Sequence, residues 1–348
     1  MKFATRCLPI GSLPYDNIEA VSRMEIKLFE HFPFLPLLPK LDTEDTIAMR
    51  TLHNIPAIKV KGDKISLKGD IESNKKHLVK LDKAFNDPTP QHIEPYAIES
   101  VYMDKFLHLI EKSKAPQASV SLLGPFSISQ KLMGLSSEQL LADKSYRKLF
   151  IQAVTVKALW IIYKIKEVNS RTTPVIILEE PSLNQIGVVK KDNEEITLEL
   201  ITNLLGRVIE KIKAAGAIVT VHCMGKCDWT VPINAGADVI SYDAYNNPNN
   251  LCIIPEQLKE FIANGGKVNW CIMPVMTESV VKNMNIDSLT QRLVKTMEGL
   301  VSAGVPPKHV YNSALVSIQG NVDKLPIIFA EKSLILASQL AKRIPVVG

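Results

Sequence analysis

The chain has 348 residues, of which 46% are hydrophobic and 22% are charged, a balance typical of a folded globular protein with a large core. This composition excludes a disordered or collagen-like chain. The 41 basic residues exceed the 36 acidic ones by only five, so the net charge does not indicate nucleic-acid binding. The length allows two domains or one decorated α/β barrel.

The cysteines and the apolar stretches indicate a cytoplasmic protein without a membrane segment. Five cysteines are spread along the chain, far below the density of a disulfide scaffold. The apolar stretch near the N-terminus is short and broken by Pro9 and Pro14, unlike a signal peptide. Apolar-rich stretches such as residues 158–165 are interrupted by lysines well before the roughly 20 residues that a span needs.

Apolar, β-rich runs alternate with longer amphipathic runs along the chain, which predicts a parallel α/β fold. The predicted strands are residues 3–9, 34–38, 118–123, 175–179, 217–222, 238–243, 267–272 and 311–317. The predicted helices are residues 145–169, 197–215, 255–264, 286–303 and 324–341. Gly216, Gly265 and Gly304 directly follow helical runs, as glycines that cap helix C-termini do.

One segment departs from this alternation. Residues 57–70 alternate apolar and polar side chains around Gly62 and Asp63, which predicts a β-hairpin. The hairpin and its lysine-rich flank have too few apolar residues for a core of their own, so we interpret them as an insertion. Eight strands, with no glycine-rich phosphate loop, favour a single TIM (β/α)8 barrel over residues 1–348 and no nucleotide cofactor.

The active site of such a barrel lies at the carboxyl ends of its strands. Glu179 and Glu180 end a buried strand, where adjacent side chains point to opposite faces. One carboxylate is expected to face the barrel mouth and the other to find a partner in the wall, since a buried carboxylate is costly unless paired. The carboxylate at the mouth would bind a substrate ammonium group or act in acid–base catalysis. The alternative is that the pair only forms salt bridges within a loop.

His222 and Asp243 end neighbouring predicted strands. If both side chains point inward, they would meet and form part of a metal site or a proton relay. A lone histidine at a strand end is, however, often only a hydrogen-bonded core residue. Cys223 and Cys227 form a weak C-x-x-x-C zinc signal, for which buried reduced thiols are the alternative.

Several segments resemble the cobalamin-independent methionine synthases and the wider superfamily of barrels that includes uroporphyrinogen decarboxylase. The nearest resemblance is to short, core-type synthases that correspond to the C-terminal catalytic barrel. The segments that carry it are residues 11–14 (GSLP), 32–40 (FPFLPLLPK), 124–127 (GPFS), 179–183 (EEPSL), 221–229 (VHCMGKCDW) and 237–245 (ADVISYDAY).

The resemblance implies a methyltransferase that moves a methyl group, with a methylated corrinoid or corrinoid protein as the suspected donor, to a thiol such as homocysteine. It implies that Gly11 and Ser12 bind the substrate carboxylate and that Glu179 and Glu180 bind its ammonium group. Further substrate-binding residues on the matching segments are Ser127 and Tyr245. The implied catalytic residues are His222, Glu179 and Asp243.

The implied zinc site diverges from the family's pattern. The family positions correspond to His222, Met224, Asp243 and Gln319, two of which are cysteines in the family. Replacing two thiolates by a thioether and an amide removes the anionic ligands that bind zinc tightly. Zinc is therefore a weak expectation here.

Three hypotheses follow from the sequence. The first is a methyltransferase with a remodelled metal site that includes His222, Asp243 and one of Cys223 or Cys227. The second is a metal-free barrel enzyme, although not a uroporphyrinogen decarboxylase, because arginines for an acidic tetrapyrrole are scarce before Gly11. The third is a non-catalytic paralogue that binds an amino acid or a corrinoid protein. None of them involves nucleic acid or a membrane.

Overall fold

The computed structural model describes residues 3–186 and 196–347. Seven parallel strands form one curled, TIM-barrel-like sheet. In their spatial order across the sheet, these strands are β1 (Phe34–Leu35), β4 (Gln117–Leu123), β6 (Thr173–Glu179), β7 (Ile218–Cys223), β8 (Val239–Tyr242), β9 (Lys267–Met273) and β10 (Ala314–Ile318). The order follows the chain, as expected when each crossover returns over the outside of the sheet.

Helices connect these strands. They are α1 (Ile18–Phe29), α2 (Ile47–Leu52), α3 (Lys75–Asn86), α4 (Pro90–Ile93), α5 (Met103–Ser113), α6 (Pro125–Lys131), α7 (Ser137–Ala142), α8 (Lys144–Val168), α9 (Leu198–Ala214), α10 (Thr230–Asn234), α11 (Pro255–Ala263), α12 (Glu278–Asn283), α13 (Ile286–Ser302), α14 (Pro307–Ser313) and α15 (Ile327–Arg343). Gly216, Gly265 and Gly304 follow α9, α11 and α13 with φ of +81°, +93° and +105°, which confirms the predicted glycine caps.

A second, smaller sheet contains the predicted hairpin. Strands β2 (Ile58–Lys61) and β3 (Lys64–Leu67) are antiparallel, and β3 also pairs in parallel with the short β5 (Leu132–Met133), which directly follows α6. The hairpin is therefore confirmed. Its turn residue Asp63 reaches the carboxyl end of the large sheet, so the insertion contributes to the region where the site was expected.

The first predicted strand, residues 3–9, is wrong as a regular strand. Cys7 makes one parallel bridge to Val316, and Ser12 makes one to Leu37, so this segment links both edges of the large sheet. Proline has no backbone N–H to give to a ladder, and Pro9 falls between the two bridges. Isolated bridges consequently replace a continuous strand.

Two other predicted strands are too long. The segment predicted as 34–38 is regular only over β1, since Pro36 interrupts it. The segment predicted as 311–317 begins inside helix α14, and its strand starts at Ala314. The remaining predicted strands and helices agree with the observed ones to within three residues at each end. In the described part of the chain, no helix has both the length and the apolar content that crossing a membrane requires.

A buried carboxylate ties the first helix to the sheet. Glu25 on α1 is 1% exposed. Its two oxygens accept hydrogen bonds from the Phe34 amide at 3.0 Å and from the Tyr102 hydroxyl at 3.0 Å. Burial raises the pKa of Glu25 to about 8, although both hydrogen bonds oppose the shift. Folding therefore favours the protonated form of this group.

The pKa of Glu25 predicts that the free energy of unfolding falls as the pH rises from 5 to 8. In that range the unfolded chain releases the Glu25 proton while the folded chain retains it. Rising pH therefore stabilises the unfolded state relative to the folded state. Glu25→Gln should remove about 3 kcal/mol of this decline. Urea unfolding at pH 5 and pH 8 measures it. The exposed Glu30→Gln serves as control and should keep the slope of the original protein; equal slopes in all three proteins would contradict the assignment.

Candidate active site

A cavity of about 390 Å³ opens at the carboxyl ends of the parallel strands, where barrel active sites lie. Its four titratable side chains come from different elements: Glu179 ends β6, His222 lies near the end of β7, Lys131 ends α6, and Asp63 occupies the hairpin turn. The other lining residues are Ile10, Gly11, Ile47, Leu123, Pro181, Met224, Gly320 and Asn321. Both signs of charge therefore surround one concave space.

Glu179 and Glu180 have separate environments. Glu179 is half-buried and lines the cavity. Glu180 is fully buried, and its oxygens accept hydrogen bonds from the amides of Phe126 at 3.0 Å and Ser127 at 2.7 Å, at the first turn of α6. The adjacent carboxylates thus face the mouth and the wall, as strand geometry requires. A direct contact of Glu180 with substrate does not fit this burial.

The Glu180 carboxylate replaces the missing cap of α6. Gly124 precedes the helix and offers no side chain to its first amides. Glu180 accepts from two of them instead and lies at the positive end of the helix. Burial raises the pKa of Glu180 to about 7, against the opposing effect of its hydrogen bonds to Ser127 and Phe126. Ser127 is also fully buried, and its hydroxyl accepts from the Ser182 amide at 3.1 Å, so it supports the wall and does not reach the cavity.

His222 lines the cavity but does not contact Asp243 directly. Its Nδ1 lies 2.9 Å from the Ser241 hydroxyl on β8. Burial lowers the pKa of His222, and the negative charges of Glu179 and Asp243 partly oppose this. The expected contact is absent because the residue opposite His222 in the parallel register is Ser241, and Asp243 lies two residues beyond it, past the end of the strand.

Asp243 is occupied by amide donors. Its Oδ1 accepts from Gln319 Nε2 at 2.9 Å and from the Asn246 backbone at 3.0 Å. Its Oδ2 accepts from the side chains of Asn246 at 3.0 Å and Asn247 at 3.2 Å. Asp243 is 3% exposed and is not part of the cavity lining. A catalytic role for it in the cavity is therefore not supported by its position.

The turn at residues 11 and 12 is held by side chains of the loop between β10 and α15. Gly11 has φ +109°, a conformation that favours glycine, and lines the cavity. The Ser12 amide donates to Asn321 Oδ1 at 3.1 Å, and its hydroxyl donates to Asp323. Ser12 is thus engaged in fixing the turn.

Tyr245 packs against Arg292. The Arg292 guanidinium lies 3.9 Å from the centre of its ring, and Arg292 Nη2 donates to the Tyr245 carbonyl oxygen at 2.7 Å. Tyr245 is not part of the cavity lining. The prediction that it binds substrate in this cavity is not supported by the geometry.

The residues at the family's zinc positions do not fit zinc. Asp243 is saturated by amide donors, Gln319 is a neutral amide, and Met224 is a neutral thioether. The described residues contain no group of three His, Cys, Asp or Glu side chains arranged to hold a metal ion. Zinc prefers several anionic or imidazole ligands with free lone pairs, and only His222 supplies one here.

Cys223 and Cys227 do not supply the missing zinc ligands. Cys223 and Cys227 are both buried and free, and the Cys223 thiol lies 3.6 Å from the Met224 carbonyl oxygen. Burial and the adjacent Cys223 thiol raise the pKa of Cys227 well above its usual range. Neither thiol lines the cavity together with His222. The structure thus favours the interpretation of these residues as buried reduced thiols.

Three functional candidates were missed by sequence reasoning. Lys131 and Asp63 line the cavity, and Cys271 on β9 lies behind His222, with its sulfur 3.9 Å from His222 Nδ1. Asp63 was recognised only as a turn residue. The alternation of β9 gives the signal for Cys271, since Asn269, Cys271 and Met273 share one face, but no motif marks them.

Comparisons with known proteins identify no family. A scan against protein-family models finds no match, and a search of curated proteins finds none either. Among solved structures, the chain is similar to the chitobiase of Flavobacterium johnsoniae, at 10% identity and a TM-score of 0.28. That alignment covers 74% of this chain and 42% of the chitobiase, so the chain spans less than half of that protein.

Proposed function

We propose that the cavity at the strand ends binds a small zwitterion of the amino-acid class. The observation that carries the proposal is the division between the two glutamates, since Glu179 is free to face the cavity while Glu180 is fixed in the wall. Glu179 and Lys131 supply opposite charges in one space, which suits an ammonium group and a carboxylate of the same ligand. The volume is within the range of small-molecule sites.

The residues in and around the cavity have different roles in this proposal. Glu179 would bind the ammonium group, and Lys131 with the Gly11 turn would face the carboxylate. Ser12 and Asn321 fix that turn, and Glu180 with Ser127 fixes the loop that begins α6. We also propose that residues 7–12, which bridge both edges of the sheet, take the place of the eighth strand of a single (β/α)8 barrel.

The reaction that we propose is methyl transfer to the thiol of the bound amino acid, such as homocysteine, with a methylated corrinoid as donor. It rests on the motif resemblance of residues 221–229 and 237–245. The residues at the family's metal positions do not suit zinc, so no step through a metal is proposed. We also propose a reducing, cytoplasmic location, which the five free cysteines support.

Binding without turnover is the second candidate. It is favoured by the same observation that argues against zinc, namely the amide donors that occupy Asp243. An assay of methyl transfer from methylcobalamin to homocysteine separates the two candidates. Product formation supports the methyltransferase, and saturable homocysteine binding with no product supports the paralogue.

Glu179→Gln should weaken binding of homocysteine or methionine at least tenfold, because a hydrogen bond to a charged group contributes about 1.5–3 kcal/mol. Isothermal titration calorimetry measures the dissociation constants. The control is Glu256→Gln on α11, whose side chain is 78% exposed and lies outside the cavity lining; its affinity should be unchanged. Equal affinities of the original protein and Glu179→Gln would remove the ammonium assignment, and no binding of any amino acid would overturn the proposed function.

A further inference from the structure

A layer of polar side chains lies inside the sheet behind His222. Ser241 on β8 contacts His222 Nδ1 at 2.9 Å. Asn269 on β9 donates from Nδ2 to the hydroxyls of Ser241 at 2.7 Å and of Ser317 at 2.9 Å. Cys271, also on β9, lies 3.4 Å from the Ser241 hydroxyl and 3.2 Å from the Ser317 hydroxyl. All four side chains are buried, whereas barrel interiors are usually filled by branched apolar residues.

The donors and acceptors of this layer set the direction of its hydrogen bonds. The amide nitrogen of Asn269 has two hydrogens, one directed at each serine hydroxyl, so both hydroxyls accept from it. Each serine then has one hydrogen left to donate. For Ser317 the acceptors within reach are Cys271 Sγ and the Ile318 carbonyl oxygen at 3.1 Å. For Ser241 they are His222 Nδ1 and Cys271 Sγ.

The imidazole nitrogen is the stronger acceptor for the Ser241 hydrogen. A thiol sulfur accepts weakly, and the distance to Cys271 is longer than the distance to His222. Burial raises the pKa of the Cys271 thiol to about 11, so Cys271 remains an S–H group and can donate to a serine oxygen. The Ser241 hydroxyl then donates to Nδ1, and the proton of the neutral ring resides on Nε2.

Glu179 favours the same tautomer from the cavity side. Glu179 and His222 are direct neighbours in the parallel register of β6 and β7, and both line the cavity. Negative charge near the cavity edge of the ring stabilises an N–H at that edge. The internal layer and the cavity charge therefore act in the same direction.

We infer that Ser241 and Asn269 are positioning residues that hold His222 as the Nε2–H tautomer, so that the cavity presents a neutral N–H donor at this point. This inference deepens the proposed function, since it uses the same cavity. The ligand atom opposite His222 is then a hydrogen-bond acceptor. For a thiol amino acid, it is a carboxylate oxygen or the sulfur, whose thiolate form such a donor stabilises.

Nitrogen-15 NMR of the histidine-labelled full chain tests the tautomer directly, since two-bond nitrogen–proton correlations distinguish the two ring nitrogens. The chain has seven histidines, and the set of signals lost in His222→Gln assigns this residue. At neutral pH and without ligand, we expect a protonated Nε2 and an unprotonated, hydrogen-bonded Nδ1. A protonated Nδ1 would overturn the inference.

Matched variants test the positioning residues. Ser241→Ala should shift the Nδ1 resonance by removing its hydrogen-bond donor, whereas Ser317→Ala, which does not touch His222, should leave it in place. Asn269→Asp replaces the amide donor by an acceptor, which turns the Ser241 hydroxyl around and should move the ring proton to Nδ1. If Asn269→Asp does not fold, the two serine variants still decide: equal Nδ1 shifts in both would refute the role of Ser241. Because these spectra need no ligand, loss of amino-acid binding would contradict the proposed function alone.

Discussion

Gly124→Ala should lower the free energy of unfolding by roughly 4 kcal/mol, since it overpacks a closed site and displaces a carboxylate from two amides. A Cβ at position 124 would overlap with Glu180 Oε1 and with the carboxyl carbon of the same side chain. Glu180 has little freedom to retreat, because it is fully buried and accepts from the amides of Phe126 and Ser127. The glycine is therefore required by the side chain that caps α6 from the neighbouring strand.

Chemical denaturation of Gly124→Ala and of a matched helix variant measures this effect. Gly206→Ala on α9 has its nearest contact at 3.6 Å, so it should gain about 0.5–1 kcal/mol from helix propensity. In a Glu180→Ala background, the Gly124→Ala change should cost less than about 1 kcal/mol, because residues in contact are not additive. An equal cost in both backgrounds would show that Glu180 is not the cause.

The sequence predicted the parallel α/β alternation and the hairpin well, because both depend on local periodicity. Apolar runs such as the one ending at Glu179 and the caps at Gly216 and Gly265 are short-range signals. The irregular segment around Cys7 and Ser12 was not predictable in this way. Its conformation depends on the bridge from Cys7 to Val316 and on the bridge from Ser12 to Leu37. In neither bridge are the two residues close together in the sequence, so local periodicity gives no sign of the pairing.

The candidate site was predicted only in part for a related reason. Strand alternation separated Glu179 from Glu180 and placed His222 inward, since both follow from the period of two. The partner of His222 depended on the register between β7 and β8, which puts Ser241 opposite it. Lys131 and Asp63 reach the cavity from an α-helix end and a hairpin turn, and no spacing rule brings such elements together.

A buried cation on α2 was also not predicted. Arg50 on α2 is 2% exposed. Its guanidinium donates to the carbonyl oxygens of Leu35 at 2.8 Å and Pro36 at 2.6 Å and lies 3.7 Å from Asp45. Asp45 in turn accepts from the Leu38 amide at 2.8 Å. Burial lowers the pKa of Arg50, and the charges of Asp45 and Glu179 oppose this. The two hydrogen bonds join α2 to the proline-rich segment of residues 32–40.

Arg50→Met should lower the free energy of unfolding by about 3–5 kcal/mol, the cost of leaving one buried charge without its partner. The variant leaves two buried carbonyl oxygens without donors and Asp45 without its positively charged neighbour. Chemical denaturation of the full chain measures it, with the exposed Arg23→Met on α1 expected to stay within about 0.5 kcal/mol of the original protein.

Adding Asp45→Asn to Arg50→Met should restore part of the loss, because the uncompensated carboxylate is then removed, although the two carbonyl oxygens remain without donors. If the double variant is no more stable than Arg50→Met alone, the loss comes from the carbonyl contacts. Arg50 would then stabilise the fold by holding the proline-rich segment of residues 32–40 against α2, and not by compensating the charge of Asp45.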